Sequence, residues 1–415
     1  MEAVVGFVAC SAGEVEGLPR WGRVVPGDTI VPWRVVDEAG RPVGPIEVFV
    51  RELMACGASP ASARSYCYGL LRWWRWLMVV DVAWDRATPD EAREFVLWLT
   101  QARKPRNSLR TASARTAGTV NVVTRKPYLD DRYQARTVRH GNAVIRSFYE
   151  FWLERGGGPL INPIPLDKAV GWRRRSGEVG ERPQAPGRVR YNPKLPKRSP
   201  REVPDGQWKA FFGELRSNRD RALVAIAVSC AARAAELLGL RGVDIDWGEQ
   251  LVCVVRKGSR AQQWLPVSSE ALVWLRLYLS EVGEIDPSGP LWWTLRRRDH
   301  GAGLTRQPLN YEALRAVLRR LNARLGTNWT FHDLRHTAAL RMARDDRLSM
   351  RDVQMILGHA HLSTTADVYA MEEQAQVLRQ VAHYLAERQR PRRPVEVTSR
   401  YDQSDLSVLF GGDQP

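Results

Sequence analysis

A proline-rich, basic stretch near the middle of the chain is the strongest constraint on its fold. Five prolines lie between residues 183 and 200. Each lacks a backbone N–H and restricts the residue before it, so no long helix or strand can continue through this stretch. Both flanking segments are long enough to bury a core of their own. The sequence therefore predicts separate domains joined by a linker, which we place at residues 166–201.

The segment before the linker has the pattern of a helical bundle. Ser59-Pro60 and Thr88-Pro89 each place a cap residue before a proline that suits a first helical turn. Apolar residues, tryptophans among them, recur every three or four positions between residues 66 and 77, which favours core packing over base stacking. We predict a helical, DNA-binding domain over residues 45–165.

The first 44 residues form a predicted N-terminal extension. β-Branched runs such as Thr29-Ile30-Val31 indicate an extended or small β segment, and its role is left open. The segment after the linker, residues 202–390, is predicted to be mostly helical with one hairpin: strands at 251–255 and 263–267 joined by a turn through Lys257-Gly258-Ser259. A tail follows at 391–415. The fold class is thus mainly α with a small β hairpin or sheet in the second domain. Four tryptophans of that domain are expected in the core: Trp264, Trp292, Trp293 and Trp329.

A formal net charge of +16 indicates a polyanionic partner, and double-stranded DNA is the natural one because neutralised phosphates release counterions. An arginine-rich composition without such a partner is the alternative. The predicted DNA-contacting cations fall in a loop without acidic residues and in the linker: Arg103, Lys104, Arg106, Arg110, Arg125 and Lys126, then Arg173, Arg174, Arg175, Lys194, Lys197 and Arg198. A merely solvated loop also fits the first set.

The five cysteines contain no CxxC pair, so neither a zinc knuckle nor a disulfide framework is indicated. No stretch of about 20 residues is apolar enough to span a bilayer. We therefore expect a cytoplasmic, DNA-associated protein with no membrane partner.

An ordered set of side chains in the last third of the chain suits phosphodiester chemistry. Arginines bind phosphate oxygens through rigid paired donors, histidines titrate near neutral pH, and a tyrosine can form a covalent phosphoester. Such a set requires no metal and no other cofactor. Its members are Arg233, Lys257, His332, Arg335, His359 and Tyr369.

Lys257 stands out because only seven of the 62 basic residues are lysines. An ammonium can release a proton and a guanidinium cannot, so a lysine kept at this position is a candidate general acid. A surviving lysine in a solvated turn, under codon bias, is the alternative.

The local sequences around these residues resemble the tyrosine recombinases, also called phage-type integrases. The motifs are Ala232-Arg233-Ala234-Ala235-Glu236-Leu237-Leu238-Gly239-Leu240, His332-Asp333-Leu334-Arg335 and Leu357-Gly358-His359, followed by Tyr369 after ten positions. The resemblance implies a tyrosine recombinase catalytic fold preceded by a helical, SAM-like core-binding domain. It also implies a homo-tetramer on two DNA sites, with a second recombinase or DNA-bending accessory proteins as further partners.

The resemblance assigns roles to the six residues. Arg233, Arg335 and His359 are implied to bind the scissile phosphate, and Tyr369 to attack it and form a 3′-phosphotyrosyl link. Lys257 is implied to protonate the leaving 5′ oxygen, with His332 assisting at the nucleophile. Glu236 is expected to orient Arg233, since a carboxylate beside a substrate phosphate would repel it. The function implied is site-specific DNA recombination. The extra N-terminal segment and the long basic loop favour an enzyme encoded by a mobile element over a housekeeping one.

Several alternatives stay open at this point. A type IB topoisomerase shares the chemistry, and a DNA-binding regulatory or architectural protein would share the fold without activity. Tyr311 is a rival nucleophile. His332 and His336 stand four residues apart, as zinc ligands on a helix do, although Asp333 is shorter than the glutamate of that motif and nearby arginines would repel a dication.

Overall fold

The computed structural model describes residues 13, 15–105, 116–167, 188–195, 201–299, 301, 303–358 and 381. The chain divides into two compact units, residues 1–198 and 199–415. Helices dominate both, and the sheets are small and antiparallel. The mainly α fold class is therefore confirmed.

The first unit is a β-hairpin followed by helices. Strands β1 (Arg23–Pro26) and β2 (Trp33–Val36) pair antiparallel, with Arg23 opposite Val36 and Pro26 opposite Trp33. The elements are β1 (Arg23–Pro26), β2 (Trp33–Val36), α1 (Gly44–Ala55), α2 (Pro60–Val79), a 3-10 turn (Trp84–Arg86), α3 (Pro89–Gln101) and α4 (Ala135–Glu154).

Two helix starts in this unit are those that the sequence predicts. The Ser59 side chain accepts a hydrogen bond from the Ser62 backbone N–H at the start of α2. At the start of α3, Thr88 accepts from the Asp90 backbone N–H and Glu91 accepts from that of Thr88, which closes a capping box. Proline then occupies the first helical turn in both.

The N-terminal hairpin differs from the expectation in one respect. The run Thr29-Ile30-Val31 lies in the connection between β1 and β2, and the predicted small β segment is formed by the strands on either side of it. The reason is local: the Asp28 carboxylate accepts from the backbone N–H groups of Ile30 and Val31 and holds a turn. Val31 and Val35 are buried in the same core as α1 and α2, so the hairpin is part of the first unit's core.

Aromatic side chains fill the core of the first unit. Phe148 is fully buried and its ring contacts those of Phe49, Trp74 and Trp84. Trp73 is also fully buried, which confirms the core role predicted for the helix α2 tryptophans.

Part of the predicted linker is packed rather than extended. Val189 and Tyr191 lie against the first unit's core, and the Asn142 side chain donates to the Tyr191 carbonyl at 3.1 Å. The Asp167 backbone N–H also donates to the Arg188 carbonyl at 2.7 Å. Of the predicted linker, residues 168–187 and 196–200 lie outside the described part.

The second unit is helical around one buried helix, α6 (Asn218–Cys230), which packs against α8 (Ser269–Val282) and α10 (Phe331–Ala343). Its elements are α5 (Asp205–Gly213), α6 (Asn218–Cys230), α7 (Ala234–Leu238), a 3-10 turn (Gly242–Asp244), β3 (Ile245–Asp246), β4 (Leu251–Val255), β5 (Gln262–Pro266), α8 (Ser269–Val282), β6 (Arg298–Asp299), β7 (Leu304–Thr305), α9 (Tyr311–Leu325), α10 (Phe331–Ala343) and α11 (Met350–Leu357).

Strands β3, β4 and β5 form a three-stranded antiparallel sheet, and β4–β5 is the predicted lysine hairpin. Successive side chains point to opposite faces, so Val252, Val254 and Leu265 are buried while the Cys253–Trp264 pair faces outward. Trp264 is 50% exposed, so its prediction as a core residue is wrong. Trp292 and Trp329 are buried as predicted, and Trp293 is partly buried.

Within the described residues, every helix is too short or too polar to cross a lipid bilayer.

Candidate active site

Helix α10 carries two of the predicted site residues on one face. Its start is fixed by Asp333, whose carboxylate accepts from the Thr330 backbone N–H at 2.7 Å and from the Thr330 hydroxyl at 2.6 Å. His332 and Arg335 follow one turn apart. His332 is exposed, whereas Arg335 is only 5% exposed.

Arg335 is anchored through the backbone of two other segments. Its Nη1 donates to the Ala231 carbonyl and its Nη2 to the Leu357 carbonyl, both at 2.6 Å. Burial, and next the charge of Arg233, lower the pKa of Arg335 to about 10. The guanidinium therefore stays charged at neutral pH, close to a second arginine.

Glu236 holds Arg233 in place, as predicted. The Glu236 carboxylate accepts from the Arg233 Nη1 at 2.8 Å and from the Arg233 backbone N–H at 2.9 Å. Burial alone would raise the pKa of Glu236, but hydrogen bonds from Arg233 and from the Lys257 backbone, together with the Arg233 charge, outweigh it and lower that pKa. Glu236 is thus a buried carboxylate held ionised by its cationic neighbours.

Glu236 also joins the lysine hairpin to this cluster. The Lys257 backbone N–H donates to Glu236 Oε1 at 3.2 Å, while the Lys257 side chain is exposed at the hairpin tip. One carboxylate therefore contacts both the segment that carries Arg233 and the segment that carries Lys257.

Arg256 belongs to the cluster and was missed by the sequence reasoning. It is 5% exposed, and its Nη1 donates to Glu236 Oε2 at 3.1 Å. A signal was available: residue 256 has the same inward parity on the hairpin as the buried Val252 and Val254. A cation at an inward position indicates a buried ion pair.

Helix α11 leads to the last predicted residues. It ends at Leu357, and Gly358 takes up the left-handed conformation with φ +61° that closes many helices. His359 follows at once, and both His359 and Tyr369 lie outside the described residues.

The predicted DNA-contacting cations that the structure describes differ in their contacts and in their exposure. Arg103 lies 3.7 Å from the Asp131 carboxylate, and Lys104 Nζ donates to the Asp130 carbonyl at 3.2 Å. Acidic residues just beyond the acid-free loop therefore engage its first two cations. Arg125 and Lys194 are exposed, and Lys126 is half-buried. The others lie outside the described residues: Arg106, Arg110, Arg173, Arg174, Arg175, Lys197 and Arg198.

The histidine pair on α10 has its rings in edge-to-face contact, with 4.3 Å between the centroids of His332 and His336. Asp333, the third residue of the zinc-like pattern, is 5% exposed and engaged at the helix start through Thr330. Its carboxylate therefore serves the fold of α10. The rival nucleophile, Tyr311, is half-exposed at the first position of α9.

Two family models match the chain, and they follow each other in the order predicted for its domains. The N-terminal SAM-like domain of phage integrases matches residues 46–117, and the phage integrase family matches residues 207–376. The chain belongs to the tyrosine recombinase family. The second match includes all six predicted site residues.

Similar proteins include tyrosine recombinase XerD of Pseudomonas aeruginosa, 28% identical over 57% of this chain and 72% of XerD. Transposase A from transposon Tn554 of Staphylococcus aureus is 24% identical over 81% of this chain and 89% of the transposase. Among solved structures, a XerH site-specific recombinase bound to a palindromic difH substrate has a TM-score of 0.51 at 16% identity, covering 81% of this chain and 82% of that one. A lambda integrase dimer bound to a core site also gives 0.51 at 13% identity, covering 79% and 76%. These structures share the fold.

Proposed function

We propose that this protein is a site-specific DNA recombinase that cleaves and rejoins DNA strands through a 3′-phosphotyrosyl intermediate. The observation that carries the proposal is the convergence of Arg233, Arg335 and the Lys257 hairpin around the buried Glu236. Preorganised cations of this kind stabilise the negative charge that gathers on a phosphate during transfer.

The chemistry assigns one task to each residue. The Tyr369 hydroxyl attacks phosphorus, and the bond to the 5′ oxygen breaks as Lys257 gives that oxygen a proton. Arg233, Arg335 and His359 hold the non-bridging oxygens, while His332 moves the tyrosyl proton. Attack by another strand's 5′ hydroxyl reverses the step, so bond energy is conserved and religation needs neither ATP nor a metal cofactor.

The biological setting we propose is a mobile element, in cytoplasmic association with double-stranded DNA. The Tn554 transposase supports this choice because it matches 81% of this chain, compared with 57% for XerD. Four protomers on two DNA sites are the assembly proposed, with a second recombinase or DNA-bending proteins as further partners. The exposed Arg125 and Lys194 and the half-buried Lys126 are proposed phosphate contacts.

The test uses a suicide DNA substrate, nicked beside the cleavage point and carrying the site recovered from sequence that flanks the gene. Wild type in EDTA should form a denaturant-stable protein–DNA adduct, and Tyr369→Phe should form none. Tyr311→Phe is the matched control and should keep the adduct, since the half-exposed Tyr311 at the start of α9 has no part in the cluster contacts described above.

Each rival predicts a different result. A silent DNA-binding protein would bind the site and give no adduct with wild type. A topoisomerase would relax supercoiled DNA that lacks the site, without joining two sites. An adduct in Tyr369→Phe that disappears in Tyr311→Phe would move the nucleophile to Tyr311.

A further inference from the structure

Arg256 touches three separate elements through three different nitrogens. Its Nη1 donates to Glu236 on α7 at 3.1 Å, and its Nε donates to the Gln263 side chain on β5 at 2.7 Å. Its Nη2 donates to the Ile356 carbonyl on α11. Only a guanidinium offers donors in this planar fork, because the ammonium of lysine is a single point charge.

The last turn of α11 is held by side chains from outside the helix. Carbonyls at a helix end lack intrahelical partners. Gln263 Nε2 donates to the Met355 carbonyl at 2.9 Å, Arg256 to the Ile356 carbonyl and Arg335 to the Leu357 carbonyl at 2.6 Å. Three consecutive carbonyls are thus tied to the lysine hairpin and to α10.

The chain leaves α11 directly against the Arg256 guanidinium. A Cβ on Gly358 would lie 2.9 Å from Arg256 Nε and 3.1 Å from its Cζ. The absence of a side chain at Gly358 therefore allows the close approach, and the positive φ there is accessible to glycine at no steric cost. His359 is the next residue.

We propose that Arg256 is a positioning residue that couples Lys257 to the segment carrying His359. Arg256 precedes the lysine in the chain, and the backbone that it caps precedes the histidine. One buried guanidinium therefore ties the hairpin that carries Lys257 to the end of α11, from which the chain continues to His359. The inference rests on the recombinase function proposed above, and it assigns Arg256 no contact with the substrate.

The experiment measures single-turnover cleavage by the full chain on two suicide substrates, one with the ordinary 5′ oxygen and one with sulfur at that position. A sulfur leaving group needs no proton, so the ratio of oxygen to sulfur cleavage rates reports how well the acid is placed. Lys257→Arg removes the proposed acid and should lower this ratio by about a hundredfold. The effects of the other variants are compared with that change.

Arg256→Lys keeps the charge and loses the fork, and it should lower the ratio by about tenfold. Gln263→Leu leaves the Arg256–Glu236 ion pair intact, so it tests the coupling even if Arg256→Lys does not fold, and it should move the ratio in the same direction. The matched control is Arg260→Lys, an exposed arginine on the same turn, which should leave the ratio unchanged.

The outcomes separate the two proposals. If wild type cleaves and Lys257→Arg lowers the ratio, but Arg256→Lys and Gln263→Leu slow both substrates equally, then the positioning role is overturned and the recombinase function stands. If wild type forms no adduct with either substrate, both proposals fall together.

Discussion

The two units bury their polar groups in different ways. In the first, neutral groups satisfy one another: Trp73 Nε1 donates to the Tyr149 hydroxyl at 2.9 Å, which donates to the Trp84 carbonyl at 2.7 Å. In the second, charged groups are buried together, with Glu236, Arg256 and Arg335 each no more than 5% exposed. Neutral buried hydrogen bonds are typical of a protein core, whereas burying charged groups in a core costs free energy.

This difference distinguishes buried groups that stabilise the fold from buried groups that stability alone does not explain. A neutral buried hydrogen bond contributes about 1 kcal/mol net. Buried charges lose hydration, and a well-packed apolar replacement is often as stable, so their attraction alone does not explain why they are present. Under the function proposed above, the charged cluster of the second unit would serve to hold cations ready for a phosphate.

Each unit contains a buried thiol that can report its opening. Burial raises the pKa of Cys67 to about 12 in the first unit and that of Cys230 to about 11 in the second. Both thiols should react with a maleimide only when their unit opens. Replacing the other three cysteines by serine leaves these two as separate probes.

The largest expected effect is in the aromatic core. Phe148→Ala should cost about 4 kcal/mol, because it removes a fully buried ring and leaves a cavity among other aromatic side chains. Labelling of Cys67 should accelerate while that of Cys230 does not. Phe148→Leu is the milder control. Equal acceleration of both thiols would show that the units open together.

Glu236→Gln should destabilise the second unit by about 3 kcal/mol, since it leaves Arg233, Arg256 and Arg335 without their buried carboxylate. Cys230 labelling should accelerate, and inorganic phosphate should slow it again by binding the unpaired cations. Phosphate should have no such effect on Cys67 labelling in Phe148→Ala. A phosphate effect of equal size in both variants would contradict the presence of a specific anion-binding cluster in the second unit.

The pH dependence of the unfolding free energy tests the contribution of the Glu236 charge. The pKa of Glu236 is lowered in the folded state, so its stabilisation is fully present above the unfolded value near 4.5 and is lost as pH falls through the folded pKa. Urea unfolding of wild type and Glu236→Gln should therefore converge in stability below pH 4.5. A constant difference down to pH 3 would show that the carboxylate acts only through packing.

Sequence patterns predicted those features of the two units that depend on local chemistry. Cap residues before prolines located α2 and α3, and the order of Arg233, Lys257, His332 and Arg335 pointed to one site, although their roles stay predictions. The error at Trp264 involves tertiary context, because that residue lies on the outer face of the β4–β5 hairpin. The position of Thr29-Ile30-Val31 between two strands has a local cause, since the Asp28 carboxylate holds that turn.

Arg256, which the sequence analysis did not predict, combines a local signal with distant partners. Its inward position follows from the alternation of β4, but two of its partners, Glu236 and Ile356, lie 20 and 100 positions away. No local pattern identifies such partners. For the same reason the packing of Val189 and Tyr191 against the first unit's core was not predicted by a composition typical of a free linker.

The smallest expected effect compares two matched helix caps. Thr88 starts α3 in the first unit and Ser349 starts α11 in the second, each within a capping box. Replacing either by alanine should cost about 1 kcal/mol in unfolding free energy. Only Ser349→Ala should also slow single-turnover cleavage, because α11 positions the backbone that leads to His359. If Thr88→Ala slowed cleavage as much, the loss would follow stability, and the end of α11 would have no specific part in catalysis.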